Sequence, residues 1–306
     1  MAKARVIIKR RKAVRNIKKI TKVMQMIATS RYQKAFKRAT GTKPYVKKIG
    51  ELVASAVQAL RASGKDVDHP LLKEPGRGPG GTGGGGRKTA VLAISSNRGL
   101  AGGYNGNVLR LANQTIKDLE AAGDSPVLFV SGKKGIAYFK FLRRAIAESF
   151  TALGDNPVFT EIEKLADQFM AGYQDGRFTG LKVVYMRFIS AGQQKPAVMD
   201  VLPLTNLATE GAAAEGGAAA PVPYEFLPSA EEILNELIPV VVKISIFQAF
   251  IEAAVSEQIA RMVAMKAATD NADKMGKKLT QDYNRARQSQ ITSELSELMG
   301  GVEALK

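Results

Sequence analysis

The chain reads as an α/β domain combined with a long antiparallel coiled coil. Three observations predict this: helical patterning at both ends, short apolar runs alternating with amphipathic stretches between them, and two low-complexity segments rich in Gly, Ala and Pro that separate the parts. The N-terminal segment, 1–62, is patterned as a helix from Arg5 to about Arg61. Its apolar residues Ile17, Ile20, Met24 and Ile27 fall three or four apart, and Pro44 is the one interruption. Residues 63–87 follow as a linker, because the run from Pro75 to Gly86 (PGRGPGGTGGGG) is too rich in Gly and Pro to pack.

The central segment, 88–205, predicts strand 89–94, helix 104–121, strand 127–131, helix 133–143, strand 145–150, helix 159–173 and strands 181–190 and 198–204. Strand–helix alternation of this kind gives a Rossmann-like sheet with helices covering it. The last two runs, joined by AGQQKPA, suggest an antiparallel pair at one edge. A low-complexity loop, 206–228, closes the domain.

Ser229 and Glu232 form a capping box that opens the C-terminal segment, 229–306. Pro239 is expected to break the helix after a few turns, with a long helix from about 240 to 298 beyond it. Its apolar seam reads Ile244, Phe247, Ile251 and Ala254, then Met275, Leu279 and Tyr283, then Ile291, Leu295, Leu298 and Val302. At 1.5 Å per residue such a helix reaches roughly 90 Å. The N-terminal helix has comparable reach, so the two ends are expected to wind together as an antiparallel shaft, with Leu295 buried in it. Arg31 and Lys34 on one helix and Arg261 and Lys266 on the other interrupt the seams, so part of each helix must face water or another protein.

Composition removes several functional classes. With no Cys and a single His69, disulfides, thiolate metal sites, His clusters and His-based triads are excluded. No run approaches about 20 uninterrupted apolar residues, and the N-terminus lacks the apolar core and cleavage site of a secretory signal, so a cytoplasmic-side location is expected. The net charge of +17 is concentrated: the first fifty residues hold 17 of the 45 Lys and Arg and none of the 28 Asp and Glu. Such a run suits nucleic acid, an acidic membrane surface, an acidic protein or plain solvation.

Catalytic motifs are weak. The loop Ser95–Gly103 (SSNRGLAGG) sits between a strand and a helix, where phosphates are cradled in dinucleotide-binding folds, but its glycines do not fall as G-x-G-x-x-G. The next strand ends in Phe129-Val130-Ser131-Gly132, without the acidic residue that would hold a ribose. Residues 81–89 fail as a P-loop because Arg87 separates Gly86 from Lys88-Thr89, and 132–135 lacks the following Ser or Thr. Asp155, Glu161 and Glu163 lie at presumed loops or helix starts, where the helix dipole favours acids. The last helix, by contrast, is dense in directional hydrogen-bonding groups, including Glu257, Gln258, Arg261, Asn271, Arg287, Gln288 and Thr292, which suits contact with a surrounding protein.

Three blocks carry a resemblance: Ile17–Ser30 (IKKITKVMQMIATS), Ser95–Asn105 (SSNRGLAGGYN) and, within 256–292, SEQIARMVAMKAATDN and YNRARQSQIT. In order and nearly over the whole chain, the sequence resembles the gamma subunits of F-type rotary ATP synthases. The resemblance implies a non-catalytic rotor, present once per complex, with no cofactor and no metal. Its shaft would stand inside the hexamer of alpha and beta subunits and its foot on the c-ring beside epsilon, at the cytoplasmic face of a bacterial inner membrane, coupling proton-driven rotation to ATP synthesis. Carried over by position, Met24, Glu257, Gln258 and Arg261 would meet the lower beta loops, and Arg287, Gln288 and Thr292 loops higher in the hexamer. Arg261 and Gln288 are expected to point outward. Acidic beta loops would then account for the N-terminal charge. Asn97 departs from the Asp usual in the family, the glycine-rich linker is longer, and the absence of cysteine excludes thiol regulation. The competing readings are a basic nucleic-acid-binding coiled coil and an enzyme with a phosphate site at Gly99.

Overall fold

The computed structural model describes residues 2–62, 69–72, 87–153, 156–204 and 229–303. The predicted linker 63–87, the loop 206–228, Asp155 and the Val302 side chain fall wholly or largely outside these. The elements are α1 (Ala2–Ala62), β1 (Lys88–Ile94), α2 (Tyr104–Ala121), β2 (Ser125–Ser131), α3 (Lys133–Phe141), β3 (Glu148–Phe150), α4 (Phe159–Gln174), β4 (Gly180–Ser190), β5 (Gln193–Leu202) and α5 (Ala230–Glu303). They divide into two compact units, one of residues 31–260 and one of 1–30 with 261–306.

In the unit 31–260 the sheet order is β3-β2-β1-β4-β5. β1 runs parallel to β2 and to β4, and β2 parallel to β3, while β4 and β5 form the expected antiparallel edge pair. Central β1 is apolar at nearly every position because both of its faces are covered. Ala90, Leu92 and Ile94 point to one side, against Ile162 and Phe169 of α4, Val53 and Val57 of α1, and Leu234, Ile238, Val242, Ile246 and Phe250 of α5. Val91 and Ala93 point to the other, against Val108, Ala112 and Ile116 of α2 and Phe139 of α3. The period-2 alternation of the strand thus sorts its side chains between two cores.

Ser229 caps α5 as the sequence predicts, its Oγ accepting the Glu232 N–H at 3.2 Å. The expected break at Pro239 does not occur: α5 runs unbroken from Ala230 to Glu303. Proline removes one helical N–H and crowds the preceding turn, at about 3 kcal/mol. Complete burial of Leu234, Ile238, Val242 and Ile246, spaced every four residues around it, offsets that cost. By length and composition α5 would pass as a membrane span, with an 18-residue window of mean hydropathy 1.8. Its apolar stripe packs on the sheet instead.

In the other unit, the starts of α1 and the ends of α5 pair antiparallel. Thr269 donates to the Thr21 Oγ1 at 2.8 Å, Lys18 pairs with Asp273, Val14 faces Gly276, and the Arg11 guanidinium lies 5.1 Å from the centre of the Tyr283 ring. The predicted pairing is therefore present, but its seam is not the predicted one. On α1 the buried residues are Val14, Thr21 and Ala28, seven apart, while Ile17, Ile20 and Ile27 are 51%, 59% and 49% exposed. On α5 the seam is Met265, Thr269 and Ala272, continued by half-buried Gly276, Leu279, Tyr283 and Ala286. Leu279 and Tyr283 match expectation; Met275 is exposed. Small seam residues let the two backbones approach closely, so the bulkier apolar stripe is the one turned outward. Ile291, Leu295 and Leu298, beyond the last of these seam residues, are exposed rather than buried.

Candidate functional site: the β1–α2 loop and the helix pair

The crevice beyond the ends of β1 and β2 is where a Rossmann-like sheet would bind a nucleotide. Here the chain fills it. The first three N–H groups of α3, which would cradle a phosphate, are already satisfied: Lys133 donates to Asn97 Oδ1 at 3.2 Å, Lys134 to the Ser96 carbonyl at 3.1 Å, and Gly135 to Ser95 Oγ at 2.9 Å. Ser95 Oγ in turn donates to the Ser131 carbonyl at 2.7 Å, and Ser96 N–H to Asn105 Oδ1 at 3.0 Å. Gly132 (φ +97°) and Gly135 permit the closeness; a Cβ on either would come within 2.6 Å of a Ser95 atom. Asn97 accepts from Lys133 and donates its Nδ2 to the Thr151 carbonyl at 2.8 Å, a second bond that the Asp usual in the resembled family could not make. The first-turn N–H groups of α3 are therefore engaged by the β1–α2 loop rather than open to a phosphate.

Of the acids set aside in the sequence, Glu163 serves structure. Glu163 and Asp167 of α4 hold Lys243 of α5 at 2.9 and 3.0 Å, and those hydrogen bonds raise the Lys243 pKa above its ordinary value. No group of three or more His, Asp or Glu among the described residues could hold a metal.

The seven candidate contact residues fall into two sets. Arg287, Gln288 and Thr292 are exposed on α5, with Thr292 Oγ1 donating to the Gln288 carbonyl at 3.0 Å. Glu257, Gln258 and Arg261 are 2%, 4% and 6% exposed, and Met24 is half-buried. The expectation that Arg261 points outward is overturned: it is 6% exposed, and residues 253–259 just before it on α5 are buried as well. Gln288 is exposed as expected.

Sequence reasoning missed the polar joints between α5 and the sheet edge. Glu252 Oε2 accepts the Phe188 N–H at 3.1 Å, and Ser256 Oγ donates to the Met186 carbonyl at 3.2 Å, so one turn of α5 is fastened to the end of β4. The signal available was an i, i+4 polar pair within an otherwise apolar stripe. Phe36 of α1 stacks edge-on against Phe188, 5.8 Å between centroids, on the same strand end.

Two terminal helices wound around a small-residue seam, with large apolar side chains turned outward, and a sheet crevice filled by the chain itself describe a stalk-like class of protein. The ATP synthase family model matches residues 3–305. The ATP synthase gamma chain of Rhodopirellula baltica is 44% identical over 307 residues, covering all of both chains, and that of Leptospira biflexa is 38% identical over 305 residues, again covering both. Among solved structures, a chain of the Euglena gracilis mitochondrial ATP synthase OSCP/F1/c-ring assembly superposes with a TM-score of 0.65 at 18% identity, covering 99% of this chain and 95% of that one. A chain of the Tetrahymena thermophila central stalk and c-ring gives 0.55 at 19% identity, covering 81% and 99%. At those identities the structural likeness speaks for the fold. The sequence matches speak for descent: the chain belongs to the ATP synthase gamma-chain family. It is a non-catalytic rotor-stalk subunit of a membrane-associated complex to which it is peripheral, and the nucleic-acid reading of its charge finds no support.

Proposed function

We propose that this subunit stands as a single copy within a hexamer of alpha and beta subunits, with its foot against epsilon and the c-ring, on the cytoplasmic face of a bacterial inner membrane. The observation that carries this reading is the outward apolar stripe of Ile17, Ile20, Val23 and Ile27, set in the most basic part of the chain. Large exposed apolar residues beside cations need a partner that offers both apolar contact and negative charge. A surrounding ring with acidic loops meets both needs. As the helix pair turns, its unequal faces favour different conformations of successive catalytic subunits, which is population shift by differential contact.

Arg287, Gln288 and Thr292, being exposed, are assigned direct contact with the ring, and Met24 partial contact. Glu257, Gln258 and Arg261, being buried, are assigned the task of holding the helix pair in shape. The test is ATP-driven proton pumping by the whole complex carrying Arg287→Ala and Gln288→Ala. Pumping per ATP hydrolysed should fall several-fold with assembly intact; an unchanged ratio removes these two residues from the coupling path. Arg261→Ala should instead lower the yield of assembled complex.

A further inference from the structure

We infer that α1 contains a hinge at residues 40–50, a span of the unit 31–260 that opens locally while the helix on either side of it stays packed. The span is held at both ends. Before it, Ala39 is buried in a cluster with Ile251, Val255 and Ile259 of α5. After it, Val53, Ala56, Val57 and Leu60 are buried in the larger core against the sheet. Between Ala39 and Val53 none of the described side chains is buried, and Tyr45 is 58% exposed.

The residues of this span hold a helix poorly by themselves. Pro44 lies inside α1 and has no N–H to give the carbonyl of Thr40, four residues back. Gly41 and Gly50 are, after proline, the least favourable residues for a helix interior. Crowding does not require either of them, since a Cβ added at each would meet no heavy atom within 4 Å. Thr40 Oγ1 donates to the Phe36 carbonyl at 2.9 Å and Thr42 Oγ1 to the Ala39 carbonyl at 3.2 Å, so side chains draw on acceptors that the helical ladder uses. Pro239 of α5 carries the same defect, but there Leu234, Ile238, Val242 and Ile246 are fully buried and offset it. Around Pro44 no such burial exists among the described side chains, so α1 opens here before it opens at its packed ends. The use of this hinge rests on the rotor reading above: a subunit that turns against load is served by a span that yields and recovers while the packed helix on both sides keeps its contacts.

The first experiment is amide hydrogen exchange of the full chain, read by mass spectrometry, and it does not depend on the rotor reading. Peptides within 40–50 should exchange at least about tenfold faster than those within 31–39 and 53–61 of the same helix. Gly41→Ala with Gly50→Ala, both free of any clash, should slow that exchange at least about fivefold. Pro44→Ala, which restores the missing donor, is the second variant should that pair fail to fold, and the same slowing is expected of it. Uniform exchange along 31–61 overturns the hinge. The second experiment is ATP-driven proton pumping by the whole complex. Gly41→Ala with Gly50→Ala should lower the pumping rate at least about twofold with assembly intact, although the chain itself is more stable. Gly106→Ala, at an equally uncrowded glycine of α2, should leave the rate unchanged. Slowed exchange with unchanged pumping overturns the mechanical use of the hinge, and so does an equal loss in Gly106→Ala, which assigns the effect to general stiffening.

Discussion

Gly132 and Gly123 both adopt positive φ, at +97° and +82°, but a Cβ at Gly132 would lie 2.2 Å from the Ser95 carbonyl oxygen, whereas at Gly123 nothing lies within 4 Å. Gly123→Ala should therefore lose only the conformational cost, about 1 kcal/mol. Gly132→Ala must in addition move the β1–α2 loop, and should lose clearly more, roughly 3 kcal/mol or above, by denaturant midpoint. His69 illustrates a quieter residue effect. Its Nδ1 accepts the Leu71 N–H at 3.1 Å, and burial pushes its pKa below the ordinary 6.5. The folded state holds the neutral ring, so the unfolded chain takes up a proton first as pH falls. The stabilisation is complete above about pH 6.5 and is lost on acidification through the lowered folded value. The urea midpoint should fall more between pH 7.5 and 5.5 in the native chain than in His69→Gln. None of this could be read beforehand: the sequence shows a lone histidine and many glycines, and which of them is crowded depends on residues dozens of positions away.

At the scale of elements, the helix pair is where expectation and outcome differ most. Heptad spacing occurs on two stripes of α1, and the sequence favours Ile17, Ile20 and Ile27 because they are the more hydrophobic. Packing selects Val14, Thr21 and Ala28 because they are small. The difference is directly measurable in a chain with no native cysteine. Thr21→Cys with Thr269→Cys should close a disulfide under mild oxidation, and Ile20→Cys with Thr269→Cys should not, as judged by non-reducing electrophoresis. Leu295→Ala, expected from sequence to open a cavity, should change stability by no more than about 0.5 kcal/mol because Leu295 is 59% exposed. Ala28→Leu should cost about 1–3 kcal/mol by overpacking the seam. Asp273 belongs to the same joint: hydrogen bonds from Lys18 and then Lys277 lower its pKa, so its contribution is present at neutral pH and disappears as pH falls below the ordinary carboxylate range.

For the whole molecule, the order of elements, the parallel sheet with one antiparallel edge, the absence of catalytic motifs and the pairing of the two ends were all legible from periodicity and composition. These features depend on local patterning and on chain length, which one sequence carries in full. The family resemblance was equally legible, since it rests on contiguous blocks such as SEQIARMVAMKAATDN. What only the tertiary structure decided is which face of each helix turns inward, that α5 passes through Pro239, that the β1–α2 crevice is closed by the chain's own Ser95, Ser96 and Asn97, and that Glu257, Gln258 and Arg261 are buried. Each of these is a competition between groups distant in the chain, of size against hydrophobicity or of one donor against another, and such a contest is settled by three-dimensional neighbours that a linear pattern does not contain.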